Sequence, residues 1–173
     1  MTIAERVETF EKFMDDIVTS DITKDLLESG FFTAPASTKF HGNYEGGLFD
    51  HSYRVARFLS QLTEDNHLSW QNPRSPLLIG MFHDLCKMDN YILVDGHYEY
   101  ETDTLFKGHG DKSVMILSQY YKLTEEEAAC IRYHMGAFVE KEEWKDYTRA
   151  IHKYPNVLWT HTADMLASHV EGV

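Results

Sequence analysis

The sequence has few of the features that mark secreted, membrane or disordered proteins. Its two cysteines, Cys86 and Cys130, form no CxxC pair, so we expect reduced thiols and neither a disulfide framework nor a cysteine zinc site. Four prolines and no low-complexity tract argue against disorder. No apolar run reaches the roughly 18 residues of a membrane span. The first residues are acidic and amphipathic, unlike a signal peptide. We therefore expect a globular cytoplasmic protein without a membrane partner.

Basic residues are also scarce. The 16 lysines and arginines face 28 aspartates and glutamates, which gives a formal net charge of -12. Such a charge repels polyanions, so we expect no extended nucleic-acid surface, and a phosphorylated ligand would need local cations. Histidine, in contrast, is abundant. Ten histidines are scattered along the 173 residues, and their positions carry most of the functional information.

Apolar residues recur at helical spacing through most of the chain. The predicted helices cover residues 3–18, 20–28, 48–62, 75–86, 110–121, 124–135 and 140–154, with a last helix from Pro155 onwards. The stretch YILV-DG-HYEY predicts a β-hairpin, since Asp-Gly between two runs of β-formers is a strong two-residue turn signal. The expected fold class is all-α, a helical bundle with one small β-hairpin insertion, and we expect residues 1–173 to form one domain.

Three ionisable residues interrupt an apolar segment. His83, Asp84 and Lys87 in the motif FHDLCK follow the run PLLIGM. Burying a charge is costly unless it is paired or coordinates a metal. Possible partners for this motif are histidines and an aspartate that recur about one helix apart. They are His51, His109, His134 and Asp164. Each helix could therefore present one metal ligand to a common centre, as helix bundles do.

The residue types suit two metal ions. Four histidines and two aspartates are too many for one tetrahedral ion, but they suit two octahedral ions that share Asp84. Two such ions would activate a water and clamp a phosphoryl oxygen. Lys87 could neutralise a non-bridging phosphate oxygen. We therefore take Asp84 and Lys87 as the candidate catalytic residues.

The order H, HD, H, H, D resembles the HD-domain superfamily of metal-dependent phosphohydrolases. The motifs are GGLFDHS around His51, HDLCK around His83, GHGDKS around His109, RYHMG around His134 and HTADML around Asp164. The resemblance covers residues 46–168 as an HD core, preceded by helices and a loop in 1–45. It implies a helical fold, one or two divalent ions (Fe, Mn, Ni, Co or Mg) and hydrolysis of a phosphoester bond in a nucleotide or short oligonucleotide by a metal-activated water.

Several assignments have alternatives. His109 could simply begin a helix, which would leave a single ion on His51, His83, Asp84 and Asp164. Lys87, Lys112, Arg132 and His161 are the candidate substrate contacts, although a surface position suits His161 nearly as well. His41 could reach over the site from its loop or lie in an exposed turn.

Two other functions are compatible with the same ligand set. The first is a module that binds metal and nucleotide without catalysis. The second is a di-iron oxygenase, because a centre of histidines and carboxylates can activate oxygen.

Overall fold

The computed structural model describes residues 1–106 and 108–173, and these are mostly helical. The described elements, in chain order, are α1 (Ile3–Phe13), α2 (Ser20–Glu28), α3 (Gly47–Asp65), α4 (Ser75–Phe82), β1 (Tyr91–Val94), β2 (His97–Tyr100), α5 (His109–Leu117), α6 (Glu125–Arg132), α7 (Trp144–Lys153) and α8 (Asn156–Met165). A π-helical segment, Leu166–Glu171, follows α8. The predicted all-α class with a single hairpin is confirmed for this part of the chain. None of the helices described is both long and apolar enough to cross a bilayer.

The hairpin forms as its sequence predicts. Strands β1 and β2 pair antiparallel, with Tyr91 opposite Tyr100 and Val94 opposite His97. The two turn residues, Asp95 and Gly96, both have positive φ, at 49° and 83°. Asp-Gly tolerates this conformation, which matches the twist of a two-residue hairpin.

Helix α1 is shorter than the predicted span of residues 3–18. Thr2 and Glu5 form a capping box at its start, and the helix ends at Phe13. The exposed pair Asp15 and Asp16 follows. Negative charge is unfavourable at a helix C-terminus, where the backbone carbonyls already carry negative partial charge. The chain therefore turns at this point and begins α2 with a Thr19 cap.

An aromatic core joins the N-terminal helices to α3 and α4. It contains Phe10 from α1, Phe49 from α3, Phe82 from α4, and Phe31 and Phe32 from the segment after α2, all at most 1% exposed. Phe10 contacts the other four, and its ring centroid lies 5.4 Å from that of Phe32 in an edge-to-face arrangement. Burial of such rings contributes several kcal/mol to a core, roughly 3 to 5 kcal/mol per ring on deletion.

Helices α3 and α4 approach each other closely because of a glycine. A Cβ on Gly80 would lie 2.3 Å from Cα of Ala56 in α3, so no larger residue fits without separating the helices. The small Ala56 completes this contact. As a result, the rings of His51 on α3 and His83 at the end of α4 lie with centroids 5.3 Å apart.

Helix α4 ends earlier than the predicted residue 86. It ends at Phe82, His83 caps it, and Asp84 leaves the helical conformation before a 3₁₀ turn at Leu85–Asp89. The physical reason is a tertiary hydrogen bond. The Cys86 amide donates to Oγ of Ser113 on α5 at 3.1 Å, instead of continuing the helix. The early end changes the direction of the chain at Asp84, the residue around which the candidate site is built.

Candidate metal centre

Five residues that are distant in sequence converge beneath one face of the bundle. They are His51 on α3, His83 and Asp84 after α4, His134 after α6, and Asp164 on α8, and we call them the His/Asp cluster. Asp84 lies at the centre: Nε2 of His83 is 3.3 Å from its Oδ2, and Nε2 of His134 is 3.4 Å from its Oδ1. Nε2 of His51 lies 3.2 Å from Oδ1 of Asp164. The structure thus brings together five of the six predicted ligands.

The hydrogen bonds of the three imidazoles fix their tautomers. Each Nδ1 lies 2.7 to 2.9 Å from a backbone carbonyl oxygen. The accepting carbonyls belong to Val173 for His51, Gly80 for His83 and Ile131 for His134. A carbonyl only accepts, so each Nδ1 carries the proton and donates it. In a neutral imidazole, Nε2 is then left with a lone pair that points into the cluster.

These lone pairs make the cluster incomplete without a cation. Nε2 of His51, His83 and His134 and Oδ1 of Asp84 are buried and have no hydrogen-bond partner among the described residues. Buried polar groups in proteins are normally satisfied, and here acceptors face acceptors at 3.3 to 3.4 Å. A divalent ion would satisfy both imidazole nitrogens and carboxylate oxygens, with the Nδ1–H···O=C bonds orienting the rings. The donor set therefore fits a metal.

The geometry offers more than one set of ligands within the cluster. His51, His83 and Asp84 have ligand atoms within 4.8 Å of one another, and so do His83, His134 and Asp164. Because His83 belongs to both sets, the two positions adjoin. This arrangement is compatible with one ion or with two neighbouring ions.

The central carboxylate of the cluster, that of Asp84, is paired with a cation of the protein. Burial alone would raise the pKa of Asp84, but the Lys87 ammonium 2.8 Å from Oδ2 holds that pKa well below its usual range. Burial likewise raises the pKa of Asp164, and lowering it requires a proton or a cation between this carboxylate and Nε2 of His51. The Asp84 carboxylate outweighs the effect of burial on Lys87 and raises the pKa of that lysine. The site therefore contains an ion pair of its own between Asp84 and Lys87.

His109, the sixth predicted ligand, belongs to a different candidate group, which shares Asp84 with the His/Asp cluster. It is the first residue of α5, and its Nδ1 is 3.3 Å from Sγ of Cys86. Asp84, Cys86 and His109 form a third set whose ligand atoms lie within 4.8 Å of one another. Sequence reasoning treated Cys86 only as a core thiol. It is indeed free and buried, but its position two residues after Asp84 was a signal that it lies near the site.

A cavity of about 130 Å³ opens over the cluster. Its walls are His41, Asp84, Lys87, Met135, Phe138, His161, Asp164, Met165, Ser168 and His169. Phe138, at the rim, is 72% exposed. His161, a predicted substrate contact, donates from Nδ1 to the carbonyl of His134 at 2.8 Å. Gly136 packs on its ring, where a Cβ would approach to 2.7 Å, so His161 is held in a fixed position.

His41 reaches over the site from its loop. Its ring centroid lies 4.9 Å from that of His51, and the side chain is half-buried. Burial lowers the pKa of His41 to about 4, and the neighbouring His51 and Lys87 add to this effect. The hydroxyl of Ser37 donates to the His41 carbonyl and anchors the loop. Of the two alternatives left by the sequence, the structure supports a neutral imidazole that covers the cluster.

Lys112 and Arg132 are engaged elsewhere. Lys112 is buried, pairs with Asp89 and donates to Oδ1 of Asn90 at 2.9 Å. Arg132 pairs with Asp111 at 2.6 Å and also contacts Glu143. Neither Lys112 nor Arg132 is among the described residues that line the cavity over the cluster. Both charges are paired within the protein, and a substrate contact for either residue stays a prediction.

One comparison with known proteins gives a match. The sequence model of the family described as HD domain matches residues 48–166, more than half of the chain. The matched range contains all six predicted ligands and begins just after the start of α3. Searches of curated proteins and of solved structures gave no match.

Proposed function

The chain belongs to the HD domain family, and on this premise we propose that it is a metal-dependent phosphohydrolase that cleaves a phosphoester bond of a nucleotide or short oligonucleotide. One observation carries the proposal. Three buried imidazole nitrogens and a carboxylate oxygen of Asp84 converge without a hydrogen-bond partner among the described residues. Such an arrangement is unfavourable unless cations complete it.

The ligands would divide between two positions. His51, His83, Asp84 and Asp164 would hold one ion, and Asp84 would share a second with His134 and His109. Imidazole with carboxylate suits Fe, Mn, Ni, Co and, more weakly, Mg. When bound, divalent ions lower the pKa of a coordinated water and neutralise charge on a phosphoryl group.

The residues of the chain have separate roles in this proposal. Asp84 orients the site from its centre. Lys87 lines the cavity, so its ammonium can stabilise negative charge that develops on the phosphoryl oxygens. His161 uses Nδ1–H to hold its ring in place, which leaves Nε2 for a substrate contact. His41 restricts the access of solvent to the His51 side of the cluster.

The size of the cavity limits what enters it. A volume of about 130 Å³ is below the roughly 300 to 1,000 Å³ of pockets that enclose a whole small-molecule ligand. A phosphoryl group can enter, and the remainder of a nucleotide would lie outside, across the exposed ring of Phe138. Aromatic rings at such positions can stack on a base. The acidic net charge favours small substrates over long polyanions.

The test is hydrolysis by metal-loaded protein of a substrate panel. Protein loaded separately with Mn²⁺, Fe²⁺, Ni²⁺, Co²⁺ or Mg²⁺ would be incubated with nucleoside monophosphates and triphosphates, dinucleoside polyphosphates, cyclic dinucleotides and short single-stranded RNA. We expect at least one class to be cleaved, with activity and bound metal both lost in Asp84→Ala. The surface variant Asp146→Ala serves as the matched control and should retain both.

Other outcomes would replace the proposal. Tight nucleotide binding without turnover under every metal would indicate a binding module. An oxidised product formed only in the presence of oxygen would indicate the di-iron oxygenase. Activity that Asp84→Ala leaves intact would remove the cluster from the mechanism.

A further inference from the structure

The third set of metal-ligating side chains contains a sulfur atom. Cys86 is fully buried, and its Sγ lies 3.3 Å from Nδ1 of His109. Asp84, which the proposed function already places at the centre of the site, supplies the third member of the set. Cys86 is therefore not an isolated thiol in an apolar core. It lies between a histidine and a carboxylate that are both predicted metal ligands.

The backbone holds Cys86 in this position. The residue follows Asp84 in the 3₁₀ turn Leu85–Asp89, and its amide donates to Oγ of Ser113 on α5. The same helix begins with His109. One hydrogen bond thus connects the turn that carries the thiol to the helix that carries the imidazole. The relative position of Sγ and Nδ1 is set by two tethered elements rather than by a flexible side chain.

The spacing fits coordination of a single ion. With metal bonds of about 2.0 to 2.3 Å, ligand atoms around an ion lie roughly 3 to 4 Å from one another. The separation of 3.3 Å between Sγ and Nδ1 already falls in this range. The remaining separations, all within 4.8 Å, need only small side-chain adjustments. Asp84 is also free to bind the ion, because its buried Oδ1 has no hydrogen-bond partner among the described residues.

We propose that Cys86 is a thiolate ligand of the second metal position, together with Asp84 and His109. The inference rests on the proposed function only in requiring that the His/Asp cluster binds metal. On binding, the metal–sulfur bond replaces the S–H bond and the proton leaves to solvent. A site that adds a sulfur ligand to imidazole nitrogen and a carboxylate oxygen selects borderline ions such as Zn²⁺, Co²⁺ or Fe²⁺ over Mg²⁺. The two positions therefore differ in metal preference, the sulfur-containing one excluding Mg²⁺ more strongly.

Cobalt provides a readout that is independent of catalysis. Metal-free protein would be titrated with Co²⁺ while the absorption spectrum is recorded. A cobalt–thiolate bond gives a charge-transfer band in the near ultraviolet, whereas imidazole and carboxylate ligands give only the weaker visible bands. We expect the near-ultraviolet band in the wild type. Cys86→Ser should lose that band but keep the visible bands of the first position.

The second cysteine of the chain is the matched control. Cys130 is also buried and free, and it belongs to none of the candidate metal groups found among the described residues. Cys130→Ser should show the same near-ultraviolet band as the wild type. X-ray absorption of the zinc-loaded wild type provides a measurement that needs no variant, since a sulfur shell at about 2.3 Å is expected.

The outcomes distinguish this inference from the proposed function. Cobalt bound at two equivalents per chain without the sulfur band or sulfur shell would overturn the role of Cys86 as a ligand. Cys86 would then only donate a hydrogen bond to His109. The proposed function would still stand. A band that persists in Cys86→Ser but disappears in Cys130→Ser would also overturn it. Failure of the folded wild type to bind cobalt at all would overturn the proposed function instead.

Discussion

Two buried clusters of polar side chains in the described part of the chain differ in whether protein atoms satisfy their hydrogen bonds. In the first, which we call the glutamate cluster, Glu127 accepts from Ser75 Oγ at 3.0 Å and from the Thr124 amide at 2.8 Å. Its neighbour Glu126 accepts from the Gln71 amide and from Asn156 Nδ2. In the His/Asp cluster, three nitrogens and one oxygen have no partner among the described residues.

This difference distinguishes a structural role from a functional one. Burial of a polar group is stabilising or neutral only when its hydrogen bonds are complete. The glutamate cluster meets this condition with protein atoms, and it joins α4, α6 and α8. The His/Asp cluster lies in the same bundle but leaves its acceptors unpaired, so it lowers the stability of the metal-free chain. Unsatisfied acceptors that converge in this way indicate a site that another species completes.

The largest expected effect on stability is in the glutamate cluster. Glu127→Ala should lower the free energy of unfolding by about 3 kcal/mol, because it leaves the buried hydroxyl of Ser75 and the partly buried amide of Thr124 without an acceptor. Urea denaturation would measure this. The metal content of the folded fraction should not change. Glu125→Ala, two residues earlier on α6, is the control. It removes only an exposed pair with Lys153 and should have little effect. A Glu127→Ala protein that loses metal while still folded would contradict the separation of the two clusters.

Metal removal tests the other cluster. Adding Mn²⁺ or Co²⁺ at a hundredfold excess over its dissociation constant should stabilise the wild type by about 2.7 kcal/mol. Thermal denaturation with metal and with chelator would measure the difference. Glu127→Ala should show the same increment from its lower starting stability, whereas Asp84→Ala should show none. An unchanged melting temperature in the wild type would mean that the cluster does not bind the metal tested.

The smallest expected effect concerns the only lysine that contacts the His/Asp cluster among the described residues. Lys87→Ala should lower turnover about tenfold, since it removes a cation from the cavity wall and from the Asp84 carboxylate. Elemental analysis should show that the metal content is kept. Lys24→Ala, which removes an exposed pair with Glu28 on α2, is the control. Loss of metal together with activity would instead give Lys87 a structural role.

Local sequence signals predicted most of the fold. Helical spacing placed the main helices, the Asp-Gly turn placed the hairpin, and Thr124 with Glu127 marked the start of α6 as a capping box. These features depend on residues a few positions apart. The end of α4 was predicted wrongly because it depends on the hydrogen bond between Cys86 and Ser113, which are 27 residues apart. Such contacts leave no periodic trace in the sequence.

In the candidate site, too, the sequence predicted what depends on motif order and missed what depends on contacts between distant residues. The histidines and aspartates could be identified because their order and spacing are distinctive. Their convergence, in which His109 joins through Asp84 and Cys86, follows from helix packing. The partners of Lys112 and Arg132 and the contact of Cys86 with His109 could not be identified, since each depends on which atoms of two distant elements approach within about 4 Å.

The close contact at Gly80 places an unusual restriction on how this protein could be stabilised. Alanine is favoured over glycine inside a helix by about 1 kcal/mol, but the clash with the backbone of Ala56 would cost more than this at Gly80. The added methyl group would displace α4 from Ala56 on α3 and separate the imidazoles that the two helices carry. At this position the better helix former would both weaken the packing of the two helices and move two of the candidate ligands apart, so a thermostable variant must obtain its stability elsewhere.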